Sequence, residues 1–206
     1  MTGALAGPTV HTVTLNPSLD VEYVVPELRV GEVLIADQRR TDAGGKGVNV
    51  ARAVGAVGGR AVAHVLVAGT AGELLVALAS ELPGVTLRPT TIAGETRTNI
   101  VVVPRARDQQ LKVNELGPTT TADDVARLIA SLAVTLQPGD RVALSGSLPP
   151  GLAADTYAEL ARTALAAGAV VAVDAAGPAL AAAVRVPGVV VKPNAGEVLE
   201  LTGIDP

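Results

Sequence analysis

The chain is predicted to be an α/β protein, with a mostly parallel sheet covered by helices on both faces and a small sheet of hairpins standing off that body. Three observations predict it. Short β-branched runs alternate with Ala/Leu-rich stretches of helical length, the rhythm of parallel strands joined by helical crossovers. Runs such as Val170-Val171-Ala172-Val173 are apolar throughout, as suits strands buried on both faces. Two stretches, 21–40 and 95–116, instead alternate polar and apolar residues with no helix-length insert.

In chain order, strands are expected at Val10–Leu15, Ala61–Val67, Arg141–Leu144, Val170–Val173 and Val189–Lys192. Helices are expected at Val48–Val57, Gly72–Glu81, Ala122–Leu136, Ala154–Ala166 and Ala195–Thr202. Thr121 ahead of Asp123 and Asp124 makes a good N-cap with acid in the first turn, and Gln137-Pro138-Gly139 makes a good stop. In the second alternating stretch, Arg97, Asn99, Val101 and Val103 share one strand face, and Thr96, Thr98, Ile100 and Val102 the other. Pro104 and the charged tip Arg105-Ala106-Arg107-Asp108 interrupt it, so both alternating stretches are expected to form antiparallel hairpins inserted into one domain.

Composition excludes several chemistries. The 206 residues hold no Cys, which removes cysteine nucleophiles, thiolate metal sites and disulfides. No run of about 18 uncharged apolar residues occurs, and Met1–Val10 has no basic leader segment; a soluble, cytoplasmic protein without a membrane partner is expected. Net charge is −4 and aromatics are 1% of the chain, against the basic face and stacking platforms that nucleic acid requires. Against thirteen Arg there are only three Lys, at 46, 112 and 192, so each Lys merits inspection.

Several motifs could carry chemistry. In Thr41-Asp42-Ala43-Gly44-Gly45-Lys46-Gly47-Val48-Asn49-Val50-Ala51-Arg52, three glycines around a Lys run into a helix, so backbone N–H groups can approach a ligand closely. A plain Gly-rich turn explains the same pattern. Two well-known phosphate motifs fail: Gly47 follows Lys46 where a P-loop needs Ser or Thr, and Val50 stands where a dinucleotide fingerprint needs Gly. Asn16 and Asp20 follow a strand end, where an α/β crevice could offer them sugar hydroxyls; an Asn-Pro turn with an exposed Asp is the bland account. Glu95-Thr96-Arg97-Thr98-Asn99 carries a guanidinium fork suited to phosphate or carboxylate, or simply a solvated Arg. Ser145-Gly146-Ser147-Leu148-Pro149 also follows a strand, but Gly-x-Ser-x-Gly is not met and neither His11 nor His64 has a catalytic context. His64 is expected to be a satisfied core histidine. Asn194 and Glu197 stand three apart at a helix start, so Glu197 could reach a hydrated divalent cation, or the two could form a capping box.

Taken together and in this order, Thr14-Leu15-Asn16-Pro17-Ser18-Leu19-Asp20, Ala43 to Ala51, Glu95 to Asn99, Ser145 to Pro149 and Lys192-Pro193-Asn194-x-x-Glu197 resemble one family. It is the phosphofructokinase B branch of the ribokinase-like carbohydrate kinases, nearest to 1-phosphofructokinases and tagatose-6-phosphate kinases. The resemblance implies a ribokinase-like αβα sandwich with a small β lid that often forms a homodimer clasp. It implies ATP- and Mg2+-dependent phosphorylation of a sugar phosphate, most simply fructose 1-phosphate. Position by position it implies that Asp20 binds sugar hydroxyls and that Gly44, Gly45 and Asn49 line the sugar pocket. Lys46 and Arg97 would hold the existing phosphate, Lys192 would approach the transferred phosphate, and Asn194 and Glu197 would organise the Mg2+ shell through water. The family's catalytic Asp lies in a Gly-Ala-Gly-Asp motif that these 206 residues do not contain; Gly69-Thr70-Ala71-Gly72-Glu73 lies too early to replace it. The chain is therefore expected to be an N-terminal part of such a kinase, with little of an adenine pocket. The alternative is a noncatalytic sugar-phosphate-binding fragment or subunit. Fructose 6-phosphate and tagatose 6-phosphate remain open as substrates.

Overall fold

The computed structural model describes residues 7–204. Part of the Met1–Val10 segment and the final Asp205-Pro206 lie outside the described residues. Six strands form one sheet: β1 (Val10–Thr14), β4 (Ala61–Val67), β5 (Val85–Thr91), β8 (Arg141–Ser145), β9 (Val170–Asp174) and β10 (Val189–Val191). Its order is β10-β9-β8-β1-β4-β5 and its pairings are parallel. The other four strands, β2 (Ser18–Val25), β3 (Gln38–Gly44), β6 (Arg97–Pro104) and β7 (Leu111–Asn114), form a second sheet in the order β3-β2-β6-β7.

Six helices join these strands: α1 (Lys46–Ala56), α2 (Gly69–Ser80), α3 (Ala122–Thr135), α4 (Thr156–Ala166), α5 (Gly177–Ala183) and α6 (Ala195–Thr202). They cover both faces of the parallel sheet, as its apolar strands require. On one face Val13, Leu66 and Leu144 pack with Leu128 and Leu132 of α3, Tyr157 and Leu160 of α4 and Leu180 of α5. On the other, Val65 and Val67 pack with Val48 of α1 and with Leu75 and Ala79 of α2. Thr121 caps α3 as expected: its hydroxyl accepts from Asp124 N at 3.2 Å while Asp124 Oδ2 accepts from Thr121 N at 2.9 Å.

Four features depart from expectation. Strand β5 was not anticipated, because Thr86, Arg88 and Pro89 interrupt its apolar pattern; it is a sheet edge, where Pro removes no needed donor. The seven-residue α5, with Pro178 in its first turn, is too short to display a helical period. Helices α1 and α2 begin at Lys46 and Gly69 rather than at 48 and 72, and α4 begins at Thr156 rather than 154. Finally, the small sheet expected from the hairpins is present but not antiparallel throughout: β2–β3 and β6–β7 are joined by a parallel β2–β6 ladder running from Ser18↔Arg97 to Val25↔Pro104.

His64 is fully buried on β4. Its Nε2 lies 3.3 Å from His11 Nδ1, and His11 Nε2 lies 3.2 Å from Asp140 Oδ2. With both rings neutral, His64 Nε2–H donates to His11 Nδ1 and His11 Nε2–H donates to Asp140, while the buried His64 Nδ1 has no partner among the described residues, so His64 is a core histidine but only half satisfied. Burial holds the pKa of both rings below the ordinary value, that of His64 at about 3. Desolvation also acts on Asp140, but hydrogen bonds from Gln137 N, Thr9 N and His11 outweigh it and leave its pKa lowered.

Candidate functional site

In the parallel sheet, chain order runs outward in both directions from the β1–β8 pair, so the strand order reverses there. A crevice opens beyond the carboxyl ends of strands at such a point, and here Asn16 follows β1 while Gly146 and Ser147 follow β8. Asn16 Nδ2 bridges the crevice, donating to Ser147 Oγ at 3.1 Å and to Leu116 O at 3.0 Å. A cavity of about 560 Å³ occupies this place, lined among others by Asn16, Lys46, Arg97, Asn114, Gly146 and Ser147.

Lys46 enters from the start of α1. Gly45 precedes it at φ 111°, a conformation that residues with a side chain avoid, and α1 has no side-chain N-cap. Its first-turn N–H groups therefore remain as donors, a suitable seat for an anion. The Lys46 ammonium reaches Asp174, at the end of β9, at 3.2 Å, with both side chains partly exposed.

Arg97 begins β6 on the cavity side of the second sheet. Its guanidinium donates to Asn16 O at 3.2 Å, to Pro17 O at 3.4 Å and to Glu115 O at 3.1 Å. Desolvation lowers its pKa, against the opposing charges of Asp20 and Glu115, yet a guanidinium stays protonated. Arg97 thus ties the second sheet to the β1–β2 turn as well as presenting charge to the cavity.

Asp20 shares the face of Arg97, two positions further along the β2–β6 ladder. Its Oδ1 accepts from Ser18 Oγ at 2.8 Å and from Asn99 Nδ2 at 3.0 Å. A Cβ at position 44 would lie 2.3 Å from Asp20 Oδ2, so Gly44 is needed for close approach. Asp20 and Asn49 line a separate recess of about 280 Å³, beside Arg40, Asp42 and Arg52. There Arg52 Nη1 donates to Asn49 Oδ1 at 2.6 Å and its Nη2 to Ala43 O at 2.6 Å.

The structure therefore brings Lys46 and Arg97 into one cavity and Asp20, Gly44 and Asn49 into the ground beside it. Lys192, Asn194 and Glu197 line neither. Lys192 is exposed at the end of β10, its N–H donating to Val173 O at 3.4 Å. Asn194 and Glu197 form a reciprocal capping box: Asn194 N donates to Glu197 Oε2 at 2.8 Å and Glu197 N to Asn194 Oδ1 at 2.9 Å. The cap engages Glu197 Oε2 and Asn194 Oδ1 and leaves Glu197 Oε1 outside it, and no three His, Asp or Glu side chains converge to ligate a metal ion directly among the described residues. Sequence reasoning passed over Asn114, Ser147 and Asp174 as site residues. Ser147 and Asp174 each lie at or just past a strand's carboxyl end, the same signal that singled out Asn16. Asn114 carried none, since its place follows from pairing with Asn99 across the second sheet.

Comparison with known proteins agrees with this architecture. The family described as pfkB family carbohydrate kinase matches residues 15–205. A 1-phosphofructokinase of Rhodobacter capsulatus is 40% identical over 190 residues, which are 91% of this chain and 60% of that protein. Phosphofructokinase-2 of Escherichia coli, in a tetrameric inhibited form, superposes with a TM-score of 0.88 at 31% identity, covering 96% of this chain and 65% of that one. A ribokinase of Arabidopsis thaliana complexed with ribose and ATP shares the fold, at TM-score 0.65 and 21% identity over 96% of this chain and 63% of that one. The chain spans about 60% of the length of the curated relatives it matches.

Proposed function

Because the chain belongs to the pfkB family of carbohydrate kinases, we propose that it carries the sugar-phosphate site of an ATP-dependent hexose-phosphate kinase, with fructose 1-phosphate as the acceptor and fructose 1,6-bisphosphate as the product. The carrying observation is the convergence of Lys46 and Arg97 with Asn16 and Ser147 in one cavity at the point of strand reversal. Two fixed cations and an uncapped helix N-terminus match a phosphate dianion. Asp20 and Asn49 then offer an acceptor and a donor to the sugar hydroxyls.

Phosphoryl transfer depends mainly on alignment and on charge neutralisation. ATP would supply the transferred group, and Lys192, exposed just past β10, is the cation that the family resemblance assigns to it. Asp174 keeps the Lys46 ammonium at the boundary between the sugar side and the β9–β10 side. The β6–β7 end of the sheet face opposite Asp20, where Leu111 and Val113 are exposed, suits association with a second copy. A noncatalytic binding role draws on one observation, the lack of a Gly-Ala-Gly-Asp sequence in the 206 residues. The resemblance to 1-phosphofructokinases favours the kinase.

Titration calorimetry of the purified chain tests this function. Fructose 1-phosphate should bind at least about 100-fold tighter than free fructose, a difference of roughly 2.7 kcal/mol. Without the base, turnover in a coupled ATP assay should be undetectable. Equal affinity for the two sugars contradicts the phosphate assignment, and ordinary kinase turnover contradicts the need for the Gly-Ala-Gly-Asp base.

A further inference from the structure

We propose that Asn99, acting with Ser18, is the positioning residue for Asp20, a role that rests on the sugar-phosphate function proposed above. The parallel β2–β6 register sets Asn99 directly beside Asp20 and on the same sheet face. Asn99 Nδ2 donates to both Asp20 Oδ1 and Ser18 Oγ at 3.0 Å, and Ser18 Oγ donates to the same Oδ1 at 2.8 Å. One carboxylate oxygen is thereby held twice. The other, Oδ2, lies against Gly44, where only a residue without Cβ leaves room.

The chemistry of the donors matters. Both are neutral, so they fix the carboxylate without cancelling its charge, and Oδ2 keeps its full acceptor strength for a hydroxyl. A guanidinium in the same place would compete with the ligand as a bidentate partner. The nearby Arg97 does not take that place, because its fork is committed to Asn16 O, Pro17 O and Glu115 O. Asn99 is locked in turn: flipping its amide would set Oδ1 against a carboxylate oxygen, so Oδ1 stays buried and without a partner among the described residues. A buried, unsatisfied amide oxygen is a cost to the fold. It is accounted for if the amide serves the carboxylate. Holding Asp20 in one rotamer before the ligand arrives removes an ordering cost from binding.

Two readouts test this on the full chain. Without ligand, the Hα–Hβ scalar couplings of Asp20 should report one rotamer in the wild type and an average of rotamers in Asn99→Ala. With ligand, Asn99→Ala should weaken fructose 1-phosphate binding about tenfold, the scale of a hydrogen bond to a charged group. Asp20→Ala should weaken it at least as much, and Asn99→Ala should add nothing in the Asp20→Ala background. Asn99→Leu, which keeps the volume and removes the donor without adding charge, substitutes for Asn99→Ala if that variant does not fold. One-rotamer couplings for Asp20 in Asn99→Ala, or additive losses in the double variant, overturn the proposal. If the couplings average as expected while Asp20→Ala leaves binding unchanged, the positioning role stands and the sugar-binding assignment of Asp20 falls.

Discussion

Lowering the pH from 7 to 5 should cost the fold about 2 kcal/mol through His64 alone. The sign follows from its folded pKa of about 3 against an ordinary 6.5: the unfolded chain takes up a proton that the native state refuses, so stability is intact above pH 6.5 and falls below it. At about 1.4 kcal/mol per pH unit beyond the ordinary pKa, pH 5 sits some 1.5 units into that slope. His11, also held neutral by burial, adds to the loss. The neighbouring charges are Asp140, which faces His11, and Arg88, which acts on His64. Asp140, with its lowered pKa, contributes only as the pH drops below the ordinary carboxylate value of 3.8. His11 and His64 are the only histidines, and there is no cysteine, so no other side chain has its ordinary pKa between pH 5 and 7. Urea unfolding followed by far-UV circular dichroism measures this in a chain that lacks Trp. Replacing His64 by Leu should remove its share of the slope. Equal stability at pH 7 and 5, or an undiminished slope in the His64→Leu variant, would refute the neutral, buried His11–His64 pair.

Tyr157 is fully buried and its hydroxyl has no partner among the described residues; burial pushes its pKa up. Tyr157→Phe should therefore leave stability unchanged or raise it by up to about 1 kcal/mol in urea unfolding, and a loss beyond about 1 kcal/mol would reveal a hydrogen bond to that hydroxyl. Gly44→Ala should displace Asp20 and weaken fructose 1-phosphate binding tenfold or more by calorimetry. Native-like circular dichroism with unchanged affinity would show that the close approach has no part in binding. Arg97→Lys keeps the charge but loses the fork across Asn16, Pro17 and Glu115. It should lower unfolding stability by about 1–3 kcal/mol while retaining more phosphate affinity than Arg97→Ala; identical behaviour of the two variants in both assays would count against a double role for Arg97.

Much of the parallel sheet was legible from local pattern because its inner strands are short runs rich in β-branched or apolar residues set between helix-length stretches. Strand Ala61–Val67 and helix Ala195–Thr202 coincide with expectation at both ends. Edge strand β5 escaped because half of its residues face solvent and carry no signature. The second sheet shows where local reasoning stops: each hairpin is visible as alternation, but the β2–β6 ladder joins residues about 80 positions apart. Pairing at that distance leaves no local trace, and it is what sets Asn99 beside Asp20. Arg97 was legible as a guanidinium fork, whereas its three carbonyl partners depend on where the chain returns at Pro17 and Glu115. Asn194 and Glu197 read equally as metal shell or capping box, and their geometry is that of the cap.

Amide chemical shifts recorded during titration with fructose 1-phosphate test the central assignment most directly. The sugar-phosphate site predicts the largest shifts at Asn16, Gly45, Lys46, Arg97 and Ser147, with Asp20 and Asn99 responding and the β5 edge silent. Shifts centred away from the strand reversal, or none at millimolar ligand, would contradict it.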